Sequence, residues 1–241
     1  MSGQRRSTDG WKRRAIDLVD ALLLRLPFVS ELLNHGVSKS LGILAGFHLL
    51  RSNRITGDYL EFGVFRGETF RNAIRAAQRV FRDGALPGRF VAFDSFAGLP
   101  AVASMGDGVN PYAAGEFAAA REEFEATLGS LRTRVPIEVV AGWFDATLTP
   151  QTAARLALRR AAFVNIDCDL YESTVAVLAF ITPLLQTGTI LYFDDWYSYG
   201  GSVAQGEARA AREWLERSPG IQLVEYRNVG LTGKMFVVNL G

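Results

Sequence analysis

The chain has 241 residues, 49% of them hydrophobic and 21% charged, which suffices for one well-packed domain and excludes a chain disordered throughout. A formal charge of +1 gives no general electrostatic attraction to nucleic acid or to an anionic membrane. One cysteine, Cys168, excludes an internal disulfide framework and fits the reducing cytoplasm.

The chain opens with Arg5, Arg6, Lys12, Arg13 and Arg14 ahead of an apolar stretch, a pattern resembling the start of a signal peptide. Asp17, Asp20 and Arg25 interrupt the stretch, whereas Ile16, Val19, Leu22, Leu23 and Leu26 recur at helical spacing. Residues 1–54 therefore read as a helical arm that packs on the domain or on a second subunit, making a homo-oligomer the expectation. A membrane-surface helix is the alternative, and no apolar run is long enough to span a bilayer.

Residues 55–241 read as one α/β domain. Apolar runs predict strands at Asp58 to Gly63, Arg89 to Asp94, Ile137 to Ala141, Ala162 to Asp167 and Thr189 to Asp194. Between and after them, helices are expected at Glu68 to Phe81, Glu116 to Leu128, Thr152 to Arg160, Thr174 to Leu185 and Gly206 to Arg217. This βαβ alternation predicts a parallel sheet. Two closing strands, Ile221 to Tyr226 and Lys234 to Asn239, read as a hairpin that sets an antiparallel strand into it. Ser95 to Gly115, rich in Gly and Pro, reads as a long loop over a site or as an inert insertion.

Five strand ends carry chemistry. Glu61-Phe62-Gly63-Val64-Phe65-Arg66-Gly67 is a glycine-bearing turn between strand and helix. Phe65 stands where a dinucleotide fingerprint needs its second glycine, and no Lys-Ser or Lys-Thr completes a P-loop. A turn with an acid two residues before the glycine suits a ligand with an ammonium group and no phosphate, such as S-adenosylmethionine; an unliganded βα turn is the bland reading. Asp94 and Ser95 end the second strand, where doubly wound folds commonly hold ribose hydroxyls, or where an acid caps a turn. Trp143 and Phe144 follow the third strand and suit an adenine face or the core.

The fourth and fifth strands end in Asp167-Cys168-Asp169 and Asp194-Asp195. Two carboxylates about 4 Å apart repel by roughly 4 kcal/mol at an effective dielectric near 20, so such a cluster requires a metal, a shared proton or basic partners. With only oxygen donors on offer, the metal reading points to Mg²⁺ or a similar hard cation. Asp167 and Asp169 share a face in extended chain, whereas Asp194 and Asp195 do not, so convergence of all four demands a turn at Asp195.

These segments together resemble the macrocin O-methyltransferase family of Mg²⁺-dependent sugar O-methyltransferases. The resemblance rests on LEFGVFRGETF at 60–70, FDSFAGLP at 93–100, GWFDATL at 142–148, NIDCDLYEST at 165–174 and FDDW at 193–196. It implies a doubly wound, Rossmann-like class I methyltransferase fold and an S-adenosylmethionine-dependent O-methyltransferase acting on a small-molecule hydroxyl, a sugar or glycoside. It further implies Asp167 as general base and Asp169, Asp194 and Asp195 as Mg²⁺ ligands. Glu61, Gly63 and Gly67 would line the methionine end, Asp94 and Ser95 the ribose, Trp143 and Phe144 the adenine. The chain departs from the family where an acid usually precedes Thr-Leu: Ala146 stands there and Asp145 one place early. A metal-dependent phosphoester hydrolase and a catalytically silent binding subunit are the competing readings, of which the first leaves the Glu61 turn unexplained.

Overall fold

The computed structural model describes residues 36–82, 84, 86–101, 112–129, 131 and 135–241, with residues 14, 17–19 and 21 of the leading segment. Ile16, Leu22, Leu23 and Leu26 of the expected leading helix lie outside the described residues, as do residues 102–111 of the long loop. Residues 14, 17–19 and 21 are helical and exposed.

Among the described residues, seven strands form one sheet: β1 (Asp58–Phe62), β2 (Phe90–Asp94), β3 (Ile137–Ala141), β4 (Ala161–Ile166), β5 (Ile190–Phe193), β6 (Ile221–Val229) and β7 (Gly233–Leu240). Their order is β3-β2-β1-β4-β5-β7-β6. The first five run parallel, and β7 runs antiparallel to both β5 and β6. Every residue of β1, β4 and β5 is buried, as expected of parallel strands covered on both faces. Strand order reverses between β1 and β4, and open α/β sheets bind ligands beyond the strand ends at such a switch point.

Side chains alternate between two cores. Tyr59, Phe90 and Phe163 face α1 (Ser38–Asn53) and α2 (Glu68–Val80), with Phe47 of α1 5.5 Å from Phe163 between ring centroids. Phe62, Phe93 and Ile166 face the other way, onto Val177 and Phe180 of α6 (Tyr171–Ile181), in a cluster that also takes in Trp214 of α7 (Gly206–Glu216). Residues 38–53, read from sequence as part of an arm, are built into the first core: Ile43, Phe47 and Leu50 are fully buried. Gly46 permits that approach, since a Cβ there would stand 2.4 Å from the Phe163 ring.

The remaining helices, α3 (Arg121–Gly129), α4 (Phe144–Thr147) and α5 (Pro150–Arg155), differ in extent from the expectation. The helix expected from Glu116 starts at Arg121 because Phe117 takes φ +58°. Thr149 caps α5 by accepting from the Thr152 N–H at 3.2 Å, with Pro150 at the first helical position, and Ala157 at φ +48° keeps it short of Arg160. Pro183, with no N–H to give, converts the end of α6 to a 3₁₀ turn at Thr182–Leu184.

Candidate active site

The floor of the site is where β1, β2 and β4 end. Gly63 leaves β1 at φ +84°, and a Cβ there would lie 1.8 Å from the Asp167 carbonyl oxygen. The Gly63 N–H donates to the Phe93 carbonyl and the Asp167 N–H to the Phe62 carbonyl, both at 2.9 Å. Asp94 ties the turns together: one carboxylate oxygen accepts from the Val64 and Phe65 N–H groups at 2.7 and 2.9 Å, the other from the Phe96 N–H at 2.7 Å. Ser95 Oγ donates to the Gly98 carbonyl at 3.0 Å and accepts from the Ala97 N–H.

A cleft of about 770 Å³ opens above this floor. Gly63, Asp94, Ser95, Trp143 and Phe144 line it on one side and Asp167, Asp169, Asp194 and Asp195 on the other. Trp143 is 41% exposed, and Phe144 packs edge-on against Phe62 at 6.0 Å. Glu61 and Gly67 stand outside the lining. Glu61 is fully buried in β1 opposite Asn165 and accepts a hydrogen bond from Tyr59 Oη. Burial pushes its carboxyl up to about 7 despite the opposing pull of Tyr59 and Lys39. Gly67 opens α2, where a Cβ would meet the Phe124 ring at 2.7 Å.

Asp167, Asp194 and Asp195 each present an oxygen within 4.8 Å of the others. The chain does turn after β5, where the Asp195 N–H donates to Glu207 Oε2 of α7 at 2.9 Å. Asp195 also accepts from Ser198 Oγ at 2.6 Å and from Tyr112 Oη at 2.7 Å, which brings the returning limb of the long loop onto the acids. Tyr192 Oη donates to Asp194. Asp169, at φ +62°, has turned off the line of β4 and sits beside Asp195. It is not part of the three-acid cage.

Lys39, near the start of α1, supplies the cation among the described residues of the cluster: its Nζ donates to Asp167 Oδ2 at 2.7 Å and to Asp194 Oδ2 at 2.8 Å. Burial alone would lower its pKa, but the two aspartates raise it well above the ordinary value. Burial likewise works to raise Asp194, yet Lys39 and Tyr192 hold it below the usual carboxylate range. Burial and the Asp194 charge push Asp167 and Asp195 up, and burial with the Asp195 charge brings Asp169 to about 8. Glu207, fully buried with Oε1 lacking a hydrogen-bond partner, rises for the same reasons. A hard divalent ion beside these carboxylates would favour their charged forms. Sequence reasoning missed Lys39, Glu207, Tyr112 and Tyr192. Only Glu207 left a trace, as an acid in the first turn of its helix.

Residues 45–215 match the family model described as Macrocin-O-methyltransferase (TylF). A curated relative is the 8-demethyl-8-(2,3-dimethoxy-alpha-L-rhamnosyl)-tetracenomycin-C 4'-O-methyltransferase of Streptomyces olivaceus, 32% identical over 151 residues. That alignment covers 59% of this chain and spans about half, 54%, of the relative's length. Among solved structures, CalS11, a calicheamicin methyltransferase, shares 24% identity at a TM-score of 0.65 over 98% of both chains. The O-methyltransferase NovP shares 22% at 0.65, over 83% of this chain and 79% of its own. These likenesses show a class I O-methyltransferase fold. With most of its length inside the family's pattern, the chain belongs to the macrocin-O-methyltransferase family.

Proposed function

We propose that the protein is an S-adenosylmethionine-dependent O-methyltransferase that methylates a hydroxyl of a sugar or glycoside with the help of a divalent cation such as Mg²⁺. The observation that carries this reading is one cleft, at the switch point of the sheet, that joins the Gly63 turn to the cage of Asp167, Asp194 and Asp195. The family supports the reaction, and the rhamnosyl substrate in the relative's name supports a sugar acceptor.

Bound in the cleft, S-adenosylmethionine supplies a methyl group on a sulfonium, and the cation supplies a hard charge that acidifies a hydroxyl. On the protein's side, Gly63 and the Val64 and Phe65 backbone, fixed by Asp94, form the wall for the methionine end, with Glu61 beneath it and Gly67 setting the start of α2. Ser95 flanks the ribose, and Trp143 and Phe144 offer ring faces for the adenine. Asp167, Asp194 and Asp195 hold the cation. Asp169, beside the cage and facing the same cleft, accepts the proton of the acceptor hydroxyl. This exchanges the roles that the resemblance implied for Asp167 and Asp169. The reach of the Asp167 oxygen into the cage favours the exchange.

Isothermal titration with S-adenosylmethionine, followed by methyl transfer to a panel of glycosides and nucleotide-linked sugars with and without chelator, tests the proposal. Micromolar binding and chelator-sensitive transfer are expected. Absence of cofactor binding overturns the methyltransferase reading, and full transfer in excess chelator overturns the metal.

A further inference from the structure

We propose that Lys39 is a tethered counter-cation for the acidic cage, displaced when a divalent cation enters, so that the side chain of Lys39 reports and opposes metal loading. The inference rests on the metal reading above. It concerns a residue that precedes the 45–215 stretch matched by the family model.

The geometry is that of a shared position. The ammonium bonds Oδ2 of Asp167 and Oδ2 of Asp194, two of the three cage carboxylates, at 2.7 and 2.8 Å. A magnesium ion needs oxygen ligands at about 2.1 Å in near-octahedral array, and would draw on the same two carboxylates that the ammonium holds. A divalent and a monovalent cation held within about 4 Å of one another also repel with twice the strength of two single charges. The backbone that carries Lys39 is anchored on both sides. Ser38 Oγ accepts from the Gly230 N–H at 2.8 Å, and Ser40 Oγ accepts from Asn72 Nδ2 at 3.1 Å and donates to the Gly36 carbonyl. The exchange therefore falls to the side chain, a four-carbon stem that can draw the ammonium back into the cleft it lines. The ammonium neutralises part of a cluster in which Asp167, Asp169, Asp194, Asp195 and Glu207 act on one another.

Two measurements test this on the full chain. Titration calorimetry with Mg²⁺ compares wild type, Lys39→Met and Lys39→Arg. Loss of the competing charge should tighten Mg²⁺ binding by at least about tenfold, equivalent to about 1.4 kcal/mol, and Lys39→Arg should stay near wild type. Acylation of wild-type lysines by an N-hydroxysuccinimide ester, read by peptide mass, provides a second arm that depends on no variant folding. Adding Mg²⁺ should speed modification of Lys39 several-fold while Lys234 stays constant. Equal Mg²⁺ affinity in wild type and Lys39→Met, or Lys39 labelling indifferent to Mg²⁺, overturns the exchange and leaves the metal site standing. Failure of every form to bind Mg²⁺ overturns the metal reading and this inference with it.

Discussion

Replacing Gly63 by alanine probes the tightest contact beneath the site. Two costs add. An L-residue held at φ +84° loses roughly 1–2 kcal/mol relative to glycine. The new Cβ would also fall 1.8 Å from the Asp167 carbonyl oxygen, a backbone atom that cannot swing away as a side chain could. Separating the ends of β1 and β4 to make room strains the Asp167-to-Phe62 hydrogen bond and costs about 1–3 kcal/mol more, as overpacking typically does. The sum is about 3 kcal/mol, which for a chain of this size lowers Tm by roughly 6–12 °C. Gly115→Ala is the matched control: φ is +80° and nothing lies within 4 Å of its added Cβ, so only the conformational cost of about 1 kcal/mol applies. Urea unfolding of both variants beside wild type measures the difference. Equal losses would refute the argument that the close approach of the two strand ends, rather than backbone conformation alone, fixes glycine at position 63.

Glu61, pushed up to about 7 from an ordinary value of 4.5, keeps its proton in the folded state where the unfolded chain has lost it. Its contribution is complete below pH 4.5 and is lost as pH rises to about 7, a decline on the order of 3 kcal/mol that Glu61→Gln should flatten. Thermal melts at pH 5 and 7.5 check this, and parallel declines in both proteins would contradict it. Asp169→Asn should lower kcat by at least about a hundredfold while S-adenosylmethionine and Mg²⁺ affinities stay within about threefold, since a general base contributes 10²–10⁴ in rate; calorimetry and single-turnover transfer separate the two, and wild-type turnover removes Asp169 as the base. Arg89 grips both oxygens of Asp58, at 3.2 and 2.7 Å, and the Leu156 carbonyl at 2.7 Å. Asp58→Asn should therefore cost about 2 kcal/mol in urea unfolding, and a loss below about 0.5 kcal/mol would show the pair to be solvated.

The strands were legible because parallel strands buried on both faces must be written as unbroken apolar runs, as in Ala161–Ile166 and Ile190–Phe193. The chemistry collects where those runs stop, so the acids and the Gly63 turn could be placed at one end of the sheet from spacing alone. Helix ends were less legible, since Phe117, Thr149 and Pro183 set them through local backbone states that periodicity does not encode. The grouping of the acids turned on one dihedral. Extended chain would keep Asp169 on the face of Asp167, but φ +62° takes Asp169 out of extended conformation, and it is not among the three acids whose oxygens gather. Lys39 could not be found from sequence at all, because it meets Asp167 across 128 residues and no local pattern records that meeting.

Strand β5, which delivers Asp194 and Asp195, has β4 on one side and β7 on the other. The second partner is residues 233–240, about forty positions later in the chain. On a ribosome, β1 to β4 can pair as soon as they emerge, while β5 must wait as an open, wholly apolar edge until β7 is made and slots in beside it, ahead of β6 in space though after it in time. The cage is therefore among the last parts of the molecule to be set during synthesis. A nascent chain halted before Gly233 would hold every acid of the cluster and yet expose a sticky edge in place of a finished site.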